Sequence, residues 1–546
     1  MKTAMKVLAL ALVLLMLVPF VVACGGGDEG GTTTAKQDDN SNPNDGTQPG
    51  DEEDVTTAPD DNGGEDETDP DEEQTVFDEV GIRDLNGYKY KAYVRMKQSG
   101  NGAFYCEDFW VENSSTDALS YAVYERNKEV EDVYDCRIQQ YDATTAGMYD
   151  EMTRFYFNDE KYELAILLGA AAATCATVNL LKDIYSLDEI KLQHNTYDQN
   201  SIDQFTMGGK LYYFSGDMNI SPLDSAAVTI FNPDLFDDYD FVTQCGNEDY
   251  DDLYEMVAAG TWTISSMLEM AEVVNSDYGE DGGTLVAADG DTVGYLSYSA
   301  TPMYYWYGCG ARVSELDLDG GYPSLVFGAD GGNTAEVFNF LFTSINNQQP
   351  DKTWIPNGGG GYRNGEFMTD QLLFTDIIIW DIRKVLHPQD KARYGILPIP
   401  KYNTEQDRYY DVVYWPYGTT HLWSVPNKCS DVENASFLFH VLSVHSASPD
   451  STMDAYYVKT LELSVARDAG SRATLKIVRD SVTYDIFLLY NWGSFIQNLV
   501  EGLDTAAANE YGNKVTADNL QAAVEDMNLT LERFKDPVDP SQSDAA

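Results

Sequence analysis

The sequence predicts an α/β protein with more than one packed unit. At roughly 150 residues per domain, 546 residues leave room for two or three such units. The 43% hydrophobic and 12% aromatic content is enough for a sizeable core. Strand-like and helix-like hydrophobic patterns alternate along the chain, which is typical of strands covered by helices. A single small module and a chain that is disordered throughout are both excluded.

The amino-terminal 23 residues predict an export signal. Lys2 and Lys6 precede the apolar run 7–18, which is shorter than the about 20 residues that a membrane-spanning helix needs. The run ends in Val-Val-Ala-Cys at residues 21–24, which resembles a bacterial lipobox. We therefore expect residues 1–23 to be removed and Cys24 to carry the lipid, with two acyl chains sufficient for stable anchoring. A plain secretory signal with a chance cysteine is the alternative.

The composition of residues 24–79 predicts a disordered, acidic linker that begins at the anchor. They contain almost no large apolar side chain, and about 19 of the 57 net negative charges lie there. The remaining charge of about −38 falls on the folded body. An acidic chain repels nucleic acid and anionic lipid. We therefore expect no nucleic-acid partner, and membrane contact only through the lipid.

From residue 80 onward the pattern becomes that of a folded domain. Strands are predicted at 88–96 and 162–168, and a helix is predicted over 263–274 with Thr263 as its N-cap. Further helical patterns cover 119–133, 334–345, 431–442 and 520–531. The alternation favours mostly parallel sheets. Residues 536–546, which contain two prolines near their start, are predicted to be a disordered tail.

The sequence carries no pattern of a metal or catalytic centre. Its seven cysteines form no C-x-x-C, its five histidines form no H-E-x-x-H, and no serine lies in G-x-S-x-G. With 91 acidic residues, a pair at glycosidase spacing would arise by chance. The acidic, glycine-rich stretch 317–321 lacks EF-hand spacing and is interpreted as a surface loop. We therefore expect no enzyme activity, no cofactor and no metal, and the six cysteines after Cys24 are expected to be buried free thiols.

Several separated segments resemble the extracellular solute-binding proteins of carbohydrate-type ABC importers, the maltose-binding-like lipoproteins of Gram-positive bacteria. The resemblance runs in family order over roughly residues 80–535. The segments that carry it are residues 122–127 with 130–131, 231–236, 253–257, 260–263, 394–401, 467–471 and 484–485. Where relatives often have paired tryptophans, this chain has Tyr197 and Asp198.

The resemblance implies a two-lobed periplasmic-binding-protein-like fold of type II, with a ligand cleft between discontinuous α/β lobes. Lobe 1 is expected at about 80–215 plus 400–445, and lobe 2 at about 222–395 plus 447–535. Hinges are expected near 214–216, 399–400 and 445–446. A ligand that contacts both lobes only in the closed state would drive closure.

The function implied is capture of a sugar or oligosaccharide and its delivery to ABC permease subunits. The protein would act as a monomer, anchored by lipid at the extracellular face of a bacterial, Gram-positive cytoplasmic membrane. Two alternatives stay open. One is a surface glycan-binding or adhesive lipoprotein without transport, and the other is an importer component for a peptide or another small solute.

Sugar sites combine aromatic rings, which stack on the C–H face, with polar groups aimed at the hydroxyls. Trp415 and Tyr417 lie in a turn-like aromatic segment, and Asp217 directly follows a predicted hinge. The resemblance places Trp380 and Trp492 where maltose-binding relatives stack a ring. The candidate ligand-binding residues are Trp415, Tyr417, Trp380, Trp492, Asp217, Trp110 and Trp306. Trp262 precedes a helix N-cap and is assigned to packing.

Overall fold

The structure is a computed structural model. It describes residues 75–95, 106–112, 117–143, 147–278, 285, 290–297, 301–312, 314–317, 321–326, 336–337, 340–341, 344, 355–356, 367–389, 392–413, 420–494 and 517–542. All of them belong to one compact unit, Glu73–Ala546. The signal segment, Cys24 and linker residues 24–74 lie outside the described residues.

One sheet is built mainly from the amino-terminal third of the chain. Its four strands have the order β12-β3-β1-β2, with β1 (Tyr88–Val94), β2 (Cys136–Asp142), β3 (Leu164–Leu168) and β12 (His421–Ser424). β1 is parallel to β2 and β3, whereas β12 is antiparallel to β3. β3 reads Leu-Ala-Ile-Leu-Leu with its first four residues buried, as expected of a strand covered on both faces.

The second sheet is built from the middle of the chain. Its order is β10-β4-β9-β5-β8, with β4 (Ala227–Phe231), β5 (Val293–Ser297), β8 (Ile355–Pro356), β9 (Leu372–Ile378) and β10 (Gly395–Pro398). β5 is parallel to β8 and β9, and β4 is antiparallel to β9 and β10. The α/β class is therefore confirmed, but the sheets are mixed. The chain reaches β4 after leaving the first sheet and reaches β12 after leaving the second. These strands can therefore run antiparallel to their neighbours.

Two small ladders complete the strands. β6 (Ser314–Leu316) pairs with β7 (Pro323–Leu325), and β11 (Asp411–Val412) pairs in parallel with β13 (Val482–Thr483). The second ladder lies where the chain returns from the second sheet towards the first, and it ties two returning segments together.

Helices cover both sheets. In chain order they are α1 (Val76–Val80), α2 (Ala118–Tyr134), α3 (Met148–Asn158), α4 (Gly169–Thr177), α5 (Gln199–Phe205), α6 (Ser221–Asp224), α7 (Pro233–Asp237), α8 (Phe241–Cys245), α9 (Leu253–Ala259), α10 (Ile264–Val274), α11 (Thr301–Gly308), α12 (Ile379–Asp381), α13 (Val432–Ala447), α14 (Thr452–Asp454), α15 (Ala469–Ser481), α16 (Ile486–Tyr490) and α17 (Ala517–Lys535). π-helical turns follow α12 at Ile382–Leu386 and α14 at Ala455–Val465.

The helix starts agree with the local sequence signals. Thr263 caps α10 by accepting the Ser266 N–H at 3.2 Å, and Asp431 caps α13 by accepting the Asn434 N–H at 3.1 Å. Trp262, expected to pack, is fully buried and donates its Nε1–H to Pro398 O at 2.9 Å. These local predictions are confirmed.

Three features at the ends of the body differ from the sequence expectations. Residues 75–79, expected in the disordered linker, contribute to the capped helix α1, because Phe77 packs edge-on against Tyr134 and His445. In the expected disordered tail, Val538 donates its N–H to Thr177 O at 3.3 Å. α17 contacts α4 beside the first sheet, which weighs against placing residues 517–535 in lobe 2. The lobe boundaries themselves stay a prediction.

Within the described ranges, no helix is both long and apolar enough to cross a bilayer. The six cysteines after Cys24 are free thiols, five buried and Cys245 half-buried.

Candidate functional site

A polar cavity of about 450 Å³ lies beside the segments that connect the two sheets. Of the predicted residues that the structure describes, Asp217 alone lines it. Its wall combines residues from the side of the first sheet, from the connection 215–223 and from the side of the second sheet. They are Asn195, Tyr197, Asp198, Asn200, Asp203, Ser215, Gly216, Asp217, Asn219, Pro222, Leu223, Arg408, Met453, Arg479, Asp480, Val482 and Tyr484.

The connection is fixed by backbone pairing with residues 196–198. Asp217 donates its N–H to Thr196 O at 2.8 Å, and Asp198 donates its N–H to Ser215 O at 3.0 Å. Gly216 lies so close that an added Cβ would be 2.4 Å from Thr196 O. Only glycine fits this approach, which holds the Asp217 carboxyl at the cavity wall.

An ion pair links the two sides of the cavity. Arg479 Nη2 lies 3.5 Å from Asp217 Oδ1, and the Arg479 guanidinium also covers the Tyr457 ring at 4.7 Å. Arg479 is in α15, which packs on β10 of the second sheet: the Ile396 N–H donates to Ser471 Oγ at 3.0 Å. Asp217 therefore faces a cation carried by a helix that packs on the second sheet.

Burial raises the pKa of Asp217 to about 6, with the nearby Asp198 adding to the rise and Arg479 opposing it. Burial also raises the pKa of Asp198, although its carboxylate accepts the N–H groups of Asn200 and Ser201 at 3.0 and 3.2 Å. A ligand hydroxyl donating to Asp217 would favour its ionised form.

Amide side chains complete the polar lining. Asn219 Nδ2 donates to Ser215 Oγ and His421 O at 3.0 and 2.8 Å, and Asn200 Nδ2 donates to Val482 O at 3.0 Å. The Tyr197 and Tyr484 rings lining the cavity are each only 2% exposed. The cavity therefore offers mainly carboxylates, amides and guanidinium groups, which suit the hydroxyl rim of a sugar better than its apolar face.

Ion pairing also joins the two sides next to this cavity. Arg383, which follows β9, donates to Asp224 Oδ2 at 2.5 Å and to Glu107 Oε1 at 3.1 Å, and Lys384 Nζ lies 2.7 Å from Glu107 Oε2. Glu107 belongs to the first-sheet side, because Phe109 O accepts a hydrogen bond from Arg126 of α2. Burial lowers the pKa of Arg383, but Asp224 and Glu107 outweigh it and raise the pKa well above its usual value.

The structure places the other predicted site residues elsewhere. Trp415 and Tyr417 lie outside the described residues. Trp380 follows β9 in α12 and is 8% exposed, and Trp306 is in α11 and 1% exposed. Trp492 is 2% exposed, stacks on Tyr490 at 5.2 Å and donates its Nε1–H to Thr530 at 2.9 Å. Trp306 and Trp492 are thus core residues in this conformation, and their ligand contact stays a prediction.

Trp110 is half-buried and lines a different cavity, described below.

Sequence reasoning missed most of the cavity. In the sequence, Tyr197 and Asp198 attract notice only because relatives often have paired tryptophans there, yet both residues line the cavity. Arg479 carried no local signal, because it reaches Asp217 only through the packing of α15 on the second sheet. Among the described residues, no group of three or more His, Cys, Asp or Glu side chains could hold a metal ion.

Comparison with solved structures settles the fold. The galacto-N-biose/lacto-N-biose I-binding protein of an ABC transporter from Bifidobacterium longum superposes with a TM-score of 0.50 at 13% identity, over 84% of this chain and 100% of that one. The fold is that of the two-lobed solute-binding proteins. The predicted two-lobed, type II fold is thereby confirmed.

Other solved structures are similar at lower scores. They include MalX from Streptococcus pneumoniae (TM-score 0.44, 15% identity, 81% of this chain and 99% of that one) and the cyclic α-maltosyl-1,6-maltose binding protein from Arthrobacter globiformis (TM-score 0.47, 12% identity, 82% and 99%). No family model and no curated protein matches the sequence.

Proposed function

We propose that this protein is the lipid-anchored, extracellular solute-binding component of an ABC importer, and that it captures a sugar or oligosaccharide by lobe closure. The observation that carries the proposal is the cavity at Asp217, whose wall comes from both sides of a two-lobed solute-binding fold. A ligand there contacts both lobes at once, so its binding favours the closed state.

The chemistry of the wall supports a neutral, hydroxyl-rich ligand. Carboxylates accept hydroxyl protons, Arg479 donates to hydroxyl oxygens, and Asn200 keeps one amide proton beyond the one it gives to Val482 O. The Bifidobacterium longum protein of the same fold was solved with lacto-N-biose. Binding rather than catalysis is the role of this cavity.

The substrate class is tested by calorimetric titration of the purified full chain with lacto-N-biose, maltotetraose and a tripeptide. At least one glycan is expected to bind, and the Asp217→Asn variant is expected to bind it about tenfold more weakly, since a hydrogen bond to a charged group contributes about 1.5–3 kcal/mol. The exposed Asp237→Asn is the charge-matched control and should bind normally. Binding of the tripeptide alone would instead favour a peptide importer.

Anchoring and delivery need separate tests. Labelling cells with an alkyne palmitate analogue should mark the wild-type chain and not Cys24→Ser.

Uptake of the bound glycan should stop when the gene is deleted. Binding without any loss of uptake would favour the adhesive alternative.

A further inference from the structure

A second cavity, of about 630 Å³, lies along the outer edge of the first sheet, and none of its described lining residues lines the cavity at Asp217. It lies between α2 and β2, with Trp110 at its side. β2 is the last strand in the order β12-β3-β1-β2. We propose that this cavity, named here the edge cavity, is an accessory binding site for a neutral glycan, a role beyond the proposed transport function.

Aromatic rings of the edge cavity provide surface for a sugar. Trp110 and Tyr124 are half-buried, and Tyr141 is 40% exposed. Such partly covered rings keep a face for stacking on the C–H surface of a pyranose. A volume of about 630 Å³ is within the range of roughly 300–1,000 Å³ that small-molecule sites occupy.

Gln140 gives the cavity wall a polar side chain. Gln140 Nε2 donates to Asp142 Oδ1 at 2.7 Å, but Gln140 Oε1 is buried and accepts no hydrogen bond from the described residues. A buried acceptor left in this state costs about 1–3 kcal/mol.

The charges of the cavity favour a neutral ligand. Lys128 and Arg137 nearly balance Glu112, Glu131 and Asp132 within the lining. A chain with a net charge of −57 repels anions, and the local balance gives a cation little preference.

The strand edge is less suited to a peptide. An added peptide strand would need the outward backbone groups of β2. The Ile138 N–H already donates to Glu131 Oε1 at 2.7 Å, and Arg137 pairs with the same carboxylate. A peptide would have to displace this arrangement, whereas a glycan held by Trp110, Tyr124 and Gln140 would leave it intact.

The test uses the purified full chain and the indole N–H resonance of Trp110, assigned with a Trp110→Phe variant. Maltotetraose, lacto-N-biose and cellotetraose are titrated in turn. At least one is expected to shift the resonance with saturation. Tyr124→Ala and Gln140→Ala should weaken that binding at least fivefold. Tyr121→Ala is the matched control, because Tyr121 is on the same helix, 53% exposed and outside the cavity, and it should leave binding unchanged.

Asp217→Asn separates this site from the proposed function. If the Trp110 shift persists in Asp217→Asn, the edge cavity binds independently, as proposed. The proposal is overturned if none of the three glycans shifts the resonance, if the shift is lost in Asp217→Asn, or if it survives both Tyr124→Ala and Gln140→Ala. If Asp217→Asn leaves all glycan binding unchanged while the Trp110 shift persists, the proposed function fails and the edge cavity stands.

Discussion

At the scale of single residues, burial raises the pKa of two carboxylates, Asp376 and Asp217. Asp376 of β9 is fully buried, and its oxygens accept hydrogen bonds from Thr229 at 2.9 Å and Tyr305 at 3.3 Å and also from Tyr295. Burial raises the pKa of Asp376 to about 6, although these hydrogen bonds favour the ionised form. Burial likewise raises the pKa of Asp217 to about 6.

Because of these two carboxyl groups, we expect the folded body to be more stable in mild acid than at neutral pH. A carboxyl whose pKa is raised on folding contributes stability that is fully present below its unfolded pKa, near 3.8, and is lost as the pH rises through about 6. The loss is roughly 3 kcal/mol for Asp376, at about 1.4 kcal/mol per pKa unit. Urea unfolding at pH 4.5 and 7.0 measures about 2 kcal/mol of this loss, because the rest occurs below pH 4.5. The difference between these pH values should be smaller in Asp376→Asn than in the wild type, and an equal difference would contradict the assignment.

At the scale of elements, the ion cluster around Arg383 fastens the segment after β9 to both α6 and the loop at Glu107. Arg383→Met leaves the buried Asp224 without its cation and Glu107 with Lys384 alone, and it is expected to lower the free energy of unfolding by about 3–5 kcal/mol. Arg393→Met removes a surface pair with Asp234, 3.0 Å apart and largely exposed, and should cost less than about 1 kcal/mol. Denaturant unfolding of both variants checks the contrast; similar losses would show that burial of the cluster does not matter.

The short helix α1 gives a second prediction at this scale. Its contact with the body depends on Phe77, packed against Tyr134 and His445, and on Glu79 Oε1, which lies 2.9 Å from His194 Nε2. Phe77→Ala should speed amide exchange in residues 76–80 while the exchange of β1 stays unchanged. Fast exchange of residues 76–80 already in the wild type would place them in the linker after all.

The elements also show how far sequence reasoning reaches. The N-caps at Thr263 and Asp431 and the apolar runs of β1 and β3 are local signals, so these elements were predicted close to their observed bounds. No local pattern encodes contacts between distant segments. The ion pair of Asp217 with Arg479 and the packing of α17 beside the first sheet are both contacts of this kind. Trp306 and Trp492 illustrate the same limit, because an aromatic ring for the core and one for a cleft look alike in sequence.

At the scale of the whole molecule, two α/β lobes are joined by connections that run beside the Asp217 cavity and the β11–β13 ladder. The Asp217–Arg479 contact, at 3.5 Å, joins the connection 215–223 to a helix packed on the second sheet. In the proposed function, lobe opening would lengthen this contact. A ligand that bridges the same wall would hold the lobes together. Lobe closure is therefore the central claim of this account.

Small-angle X-ray scattering of the unit Glu73–Ala546, with and without a saturating glycan identified by calorimetry, tests that claim most directly. The radius of gyration is expected to fall on addition of the bound glycan and to stay constant with a sugar that does not bind. An unchanged radius of gyration at full occupancy would contradict closure as the response to ligand.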